Sequence, residues 1–287
     1  MKQQIQVQQE HEILSLACGI AYSRVPAWYG ATTRDLLMDV VFPKNRANCK
    51  PHPAILWICG GAFCVEDRAV WLPELMFLAR SGYVVASIDY RTCGEEPFPA
   101  ALIDVKSAIR FLKANALEFC IDPGCVCVMG ESAGGTLACL AGLTGKQTEF
   151  DQGQYLSADS SVQAVIDLYG ITDLTAMQTR KADAKSGVPS WAFEGFAGGN
   201  TPGELARASA VNYVTKDAPP FLIFHGTTDD VVPIQQSLTL YSLLLEASAD
   251  ATLYCVNDAE HGDALFFQEA CTRRILSFLS RTLKTQE

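Results

Sequence analysis

Short apolar runs alternate along this chain with longer stretches in which apolar residues recur every three or four positions. The runs predict strands at residues 13–22, 36–42, 54–59, 83–88, 125–129, 162–168, 221–224 and 251–256. Tyr83-Val84-Val85-Ala86-Ser87-Ile88 is apolar without alternation, as a strand covered on both faces should be. Leu102, Val105, Ile109, Leu112 and Ala116 form one stripe, the clearest helix in the chain. Further helices are expected over 70–80, 136–143, 234–245 and 264–283. Strand and helix alternate to the end. The pattern predicts an α/β protein with a mostly parallel, doubly wound sheet and helices on both faces.

Residues 172–216 break the alternation. They are rich in Gly, Ala, Ser and Pro, carry Trp191, Phe193 and Phe196, and offer no strand. Insertions of this length usually cover a site. Nothing in the sequence reads as a linker, so residues 1–287 are expected to form a single domain with an inserted cap or lid at about 172–216.

Of the 287 residues, 49% are hydrophobic and 19% charged, which excludes a disordered or fibrous chain. The net charge of −10 argues against nucleic acid or an anionic membrane surface as a partner. No stretch approaches the ~18 uninterrupted apolar residues of a membrane span. The segment before Ile13 has Lys2 but also Glu10 and Glu12, unlike a basic leader. A soluble, cytoplasmic protein is expected. Eleven cysteines, an odd number in a long chain, read as buried free thiols rather than a disulfide framework. Cys120, Cys125 and Cys127 have no fourth ligand nearby, so no metal site is expected.

The chemistry concentrates at Gly130-Glu131-Ser132-Ala133-Gly134. This G-x-S-x-G follows a predicted strand and opens a predicted helix, the setting in which a sharp turn lifts a serine above a sheet edge. A serine hydroxyl needs a base. Of the four histidines, His11 and His52 precede the core strands and read as surface residues. His225 ends a strand; His261 follows the 251–256 strand in a loop. Loops at strand C-termini share one edge of a doubly wound sheet. Ser132, Asp229 and His261 lie on such loops, in the chain order serine, acid, histidine. Spacing alone leaves Asp229 and Asp230 equally placed for the acid. Cys59-Gly60-Gly61-Ala62-Phe63 follows the 54–59 strand, where amides of an oxyanion hole belong, and the helix-start amide of Ala133 supplies the other donor.

These segments resemble α/β-hydrolase esterases. Trp57-Ile58-Cys59-Gly60-Gly61-Ala62-Phe63 looks like their H-G-G-G-F loop, and Ile121-Asp122-Pro123 before Gly130-Glu131-Ser132-Ala133-Gly134-Gly135 is similar to their nucleophile region. Ser87-Ile88-Asp89-Tyr90-Arg91, Ala208-Ser209-Ala210-Val211-Asn212-Tyr213-Val214 and Pro219-Pro220-Phe221-Leu222-Ile223 resemble other segments of the same family. The likeness spans about residues 36–278 and points to the carbohydrate-esterase branch, near bacterial feruloyl and acetylxylan esterases. It implies Ser132 as nucleophile, His261 as base, Asp229 as acid and His225 as a structural residue. It further implies an oxyanion hole of Gly61, Ala62 and Ala133, and no metal or cofactor. The implied substrate is a small-molecule ester with a short acyl or hydroxycinnamoyl group, such as an acylated oligosaccharide. Trp71, Trp191, Phe193 and Phe196 are candidates for an aromatic wall around the acyl group, or for core packing under the cap.

Two positions depart from that family. Cys59 replaces the histidine of the loop and Ala62 replaces its third glycine. An alanine held in the left-handed region would cost roughly 1–2 kcal/mol. Cys59, beside the site, is also a candidate for thiol-dependent inactivation. Two other functions stay open: an amidase, arylformamidase or peptidase using the same three residues, and a non-catalytic binding protein of this fold. Oligomeric state is not encoded in any of these features.

Overall fold

The computed structural model of the chain describes residues 1–8, 12–28, 30–44, 50–178 and 188–283. His11, Cys49 and residues 179–187 of the expected cap lie outside them. Eight strands form one sheet: β1 (Leu14–Ala27), β2 (Thr32–Pro43), β3 (His52–Ile58), β4 (Val84–Ile88), β5 (Ile121–Glu131), β6 (Ala164–Leu168), β7 (Phe221–Gly226) and β8 (Ala251–Val256). Their order is β1-β2-β4-β3-β5-β6-β7-β8. β2 is antiparallel to β1 and β4, and every later neighbouring pair is parallel. All residues of β4, β6 and β7 are buried, which accounts for their unbroken apolar runs.

The helices are α1 (Leu72–Arg80), α2 (Ala100–Ala114), α3 (Ala116–Phe119), α4 (Ala133–Leu143), α5 (Leu174–Gln178), α6 (Ser190–Ala197), α7 (Pro202–Arg207), α8 (Gln235–Glu246) and α9 (Glu269–Thr282). α2 and α4 pack on β5, α8 on β7 and β8, and α9 on β6. α4 is buried along its whole length, so it has no polar face. No described helix is long and apolar enough to cross a membrane.

Three boundaries differ from the sequence pattern. β1 continues to Ala27 although much of it is exposed, because its register with β2 runs on to Thr32. β5 starts at Ile121, and Asp122-Pro123-Gly124 is absorbed as an irregularity between the His52 and Ala54 pairings with β3. The helix expected over 264–283 is two pieces. Asp263 caps a 3₁₀ turn at Ala264–Phe267 by accepting the Leu265 N–H, and Gln268 is extended before α9 begins.

The thiols are less uniform than expected. Cys59, Cys127, Cys139 and Cys271 are buried and free and Cys125 is buried, but Cys18 and Cys255 are exposed. Cys120 is disulfide-bonded, so the expectation of free thiols throughout fails there.

Candidate active site

Ser132 stands between β5 and α4 at φ 53°, ψ −121°. That conformation costs a non-glycine residue on the order of 1–3 kcal/mol. The flanking glycines make the turn possible. A Cβ at Gly134 would lie 2.0 Å from the Ile58 carbonyl oxygen, and one at Gly130 would lie 2.3 Å from that of Gly134. The Ser132 N–H donates to the Leu168 carbonyl at 2.9 Å, which pins the turn to β6.

The loops after β7 and β8 deliver the next two side chains. His261 Nε2 lies 2.9 Å from Ser132 Oγ, and its Nδ1 lies 2.8 Å from Asp229 Oδ2. With the proton on Nδ1, the ring donates to Asp229 and accepts from the serine hydroxyl. Asp229 carries no exposed side-chain surface. Burial by itself would raise its carboxyl. Hydrogen bonds from His225 and His261, the His261 charge and the Val232 N–H outweigh burial and hold it well below the usual carboxylate range. Its Oδ1 accepts the N–H groups of Val231 (2.9 Å) and Val232 (2.8 Å). Asp230 is exposed. Between the two aspartates that spacing left level, geometry brings Asp229 to the imidazole.

His225 is fully buried beneath this pair. Its Nε2–H is shared between the Val232 carbonyl at 2.8 Å and Asp229 Oδ2 at 3.3 Å, while Nδ1 accepts from the Ser237 hydroxyl. His52 opens β3 away from the serine, half-buried, with Nδ1 against the Gly82 carbonyl.

The loop after β3 turns through an unusual backbone. Gly61, Ala62 and Phe63 have φ values of 136°, 54° and 62°. Ala62 therefore sits in the left-handed region, the costlier of the two cases its side chain allowed. Among the described residues, the N–H groups of Gly61, Ala62 and Ala133 donate to no protein acceptor. Ala133 is the first residue of α4, where an N–H has no partner within the helix. The Gly60 N–H is engaged differently: it donates to the Glu131 carboxylate.

Glu131 is the residue the sequence reading passed over, hidden as the first x of G-x-S-x-G. It is 7% exposed, and its Oε1 also accepts the Trp71 indole N–H at 3.2 Å. Burial raises its carboxyl. The Gly60 N–H, the His261 charge and Trp71 offset this only in part. Tyr169 was missed as well. It follows β6 at φ 46° and sets its ring edge-to-face on His261, centroids 4.8 Å apart.

Of the four aromatic candidates, Trp71 is half-buried, stacked on Phe267 at 4.8 Å. Phe193 and Phe196 are core residues, 3% and 2% exposed. Phe196 stacks on Phe63 at 4.1 Å, so it supports the loop after β3 from behind instead of facing a ligand. Trp191 is 64% exposed on the opposite side of α6. Of the two roles left open for these residues, Phe193 and Phe196 take the core-packing one, because α6 buries one face of the insert and turns Trp191 outward. Cys59 is buried and its Sγ accepts the Asp67 N–H at 3.2 Å. Burial pushes its thiol up to about 12, which fits an inert packing residue and disfavours the candidate role in thiol-dependent inactivation. Among the described residues no three His, Cys, Asp or Glu side chains gather as a metal cluster.

A mostly parallel sheet in this order, with serine, aspartate and histidine joined at its C-terminal edge, defines an α/β-hydrolase fold. Within that class the chain belongs to the BD-FAE family, whose profile matches residues 38–244. Esterase LipC of Mycobacterium tuberculosis is 33% identical over 228 residues, 79% of this chain and 56% of that protein. Isoprenylcysteine α-carbonyl methylesterase ICME of Arabidopsis thaliana is 28% identical over 253 residues, covering 84% and 56%. The chain spans about half the length of these curated relatives. A truncated carbohydrate esterase from gut microbiota superposes with a TM-score of 0.82 at 26% identity, covering 97% of this chain and 99% of the other. Thermogutta terrifontis esterase 2 shares the fold, with a TM-score of 0.72 at 20% identity and coverage of 97% and 98%.

Proposed function

We propose that the chain is a carboxylic-ester hydrolase. The observation that carries this reading is the hydrogen-bonded line from Ser132 through His261 to Asp229, starting at a serine held in a strained turn. Ser132 Oγ attacks the acyl carbon while His261 Nε2 takes its proton, and Asp229 stabilises the imidazolium that forms. The amides of Gly61, Ala62 and Ala133 receive the developing oxyanion. His261 then returns the proton to the departing alcohol, and water repeats the sequence to free the acid. His225 holds Asp229 in place and takes no proton in this scheme.

We favour acetyl or feruloyl-type esters on carbohydrate-derived alcohols. The support is the similarity over nearly the full length of both chains to a carbohydrate esterase. We assign the insert at about 172–216 as a cap on a single domain. Its α6 packs Phe196 under the loop after β3, which supports a role in shaping the site.

Replacing Ser132 with alanine tests the assignment. Turnover of p-nitrophenyl acetate should vanish and labelling by a fluorophosphonate should be lost. Retained turnover would refute it. A panel from acetyl to feruloyl esters, with and without a sugar alcohol, then tests the substrate.

A further inference from the structure

Cys64 and Cys93 bring their sulfurs to 3.4 Å, and the proposed ester chemistry uses neither. Cys64 lies on the loop after β3, two residues beyond Ala62; Cys93 lies on the loop after β4. These loops already meet there, because the Cys93 N–H donates to the Phe63 carbonyl at 2.7 Å. The Cys64 S–H donates to the Ala62 carbonyl at 3.1 Å, which leaves Cys93 to donate to Cys64. Both cysteines are half-buried. Cys93 lines an open cleft together with Pro97, Trp191 and Gly195. One sulfur is therefore reachable from solvent and already in contact with the other.

We propose that Cys64 and Cys93 form an oxidative modification site that closes to a disulfide on reaction with a hydroperoxide. The Cys93 thiolate attacks a peroxide oxygen, the O–O bond breaks, and a sulfenic acid forms as the alcohol, or water, leaves. The Cys64 sulfur then attacks the sulfenic sulfur. The S–O bond breaks, and the oxygen departs as water with the proton from Cys64. Two thiols and one hydroperoxide give one disulfide, one alcohol and one water. The order of the two sulfurs follows from their surroundings. Burial, then the hydrogen bond and charge of Cys93, push the Cys64 thiol up to about 11, so it resolves and does not initiate. The remaining approach is from 3.4 Å to the ~2.05 Å of an S–S bond.

Closure removes the S–H bond to the Ala62 carbonyl and cross-links the loop that carries Gly61 and Ala62. An effect on turnover rests on the ester-hydrolase reading; the modification itself does not. The full chain is treated with hydrogen peroxide, alkylated, and mapped by mass spectrometry without reduction. The expected result is a peptide joining Cys64 to Cys93, reversed by dithiothreitol. Turnover of p-nitrophenyl acetate should fall at least threefold in the cross-linked form. Cys93→Ser, which keeps the bond at Cys120, should match the untreated enzyme in turnover and lose no activity in peroxide. Alkylation of Cys64 and Cys93 as separate thiols after peroxide would overturn the proposal. So would equal peroxide inactivation of Cys93→Ser. The mapping decides the question even if the chain turns over no ester.

Discussion

The Glu131 carboxylate accepts the backbone N–H of Gly60, so the residue preceding the serine holds the loop that precedes the expected oxyanion donors. The same oxygen accepts the Trp71 indole N–H. Removing this acceptor strands a partly buried Gly60 N–H and frees a loop that already carries two non-glycine residues in the left-handed region. An unsatisfied buried donor costs about 1–3 kcal/mol. Glu131→Ala should therefore lower kcat by roughly 10- to 100-fold with KM changed far less, since the loss falls on the transition state. Glu131→Gln keeps an acceptor oxygen and should retain most of the activity. Equal losses in the two variants would show that charge, and not loop anchoring, is what Glu131 supplies.

Asp229 and Asp230 offer a sharper contrast. Asp229 has its Oδ2 on His261 and its Oδ1 on two backbone N–H groups, whereas Asp230 is exposed. An asparagine at 229 would favour the wrong imidazole tautomer and fail to stabilise the imidazolium, a loss of about 10⁴ in kcat in triads of this type. Asp230→Asn, as a surface change, should stay within about twofold. Steady-state rates of the two variants with p-nitrophenyl acetate check both expectations, and a comparable loss in Asp230→Asn would reverse the choice of acid.

The meeting of Ser132 and His261 with one aspartate of the 229–230 pair was legible because it follows from two facts a sequence carries, whereas the choice of Asp229 came only from the family resemblance. Strand-end loops of a parallel sheet share one edge, and few histidines lie on such loops. Glu131 was not legible. Its partner Gly60 is 71 residues away, and the x of G-x-S-x-G is silent about what lies across the sheet edge. Phe193 and Phe196 stayed undecided for a related reason: aromatic residues in a Gly-rich insert suit a pocket wall and a buried helix face equally. Only packing on Phe63 decides between them. The break at Gln268 was invisible to periodicity, since residues 264–267 keep an apolar pattern while Asp263 caps them as a separate turn.

Asp167 on β6 sets a pH dependence of stability. It is fully buried; Oδ1 accepts the Gly170 N–H at 3.0 Å, and no described donor reaches Oδ2. Burial pushes its carboxyl up to about 6, against the lowering influence of His225, the Gly170 N–H and Cys139. The folded value lies above the unfolded ~3.9. Its contribution is therefore fully present below about pH 4 and is lost as the pH rises through about 6. Asp167→Asn removes the charge and keeps the acceptor for Gly170. It should be more stable than the parent at pH 7.5, by about 2–3 kcal/mol at most, with the gap closing toward pH 4. Urea unfolding at the two pH values measures this. A gap independent of pH would mean that the carboxyl titrates normally in the fold.

Ala62 tests whether the altered glycine loop is a handicap to the site or only to the fold. Its φ of 54° is one that glycine adopts freely, and alanine there costs roughly 1–2 kcal/mol. Glycine also loses more freedom on folding, by roughly 0.5–1 kcal/mol. The two terms oppose each other, and the steric one is larger. Ala62→Gly should thus stabilise the protein by about 1 kcal/mol, seen as a higher denaturation midpoint with unchanged m-value. The loop is held from both ends independently of this side chain: Gly60 by Glu131, Phe63 by stacking on Phe196 and by the Cys93 N–H. The amide at position 62 should therefore keep its direction, and kcat should change less than about twofold. A rise in kcat of tenfold or more would show instead that alanine had displaced the donor, and that the departure at this position weakens oxyanion stabilisation.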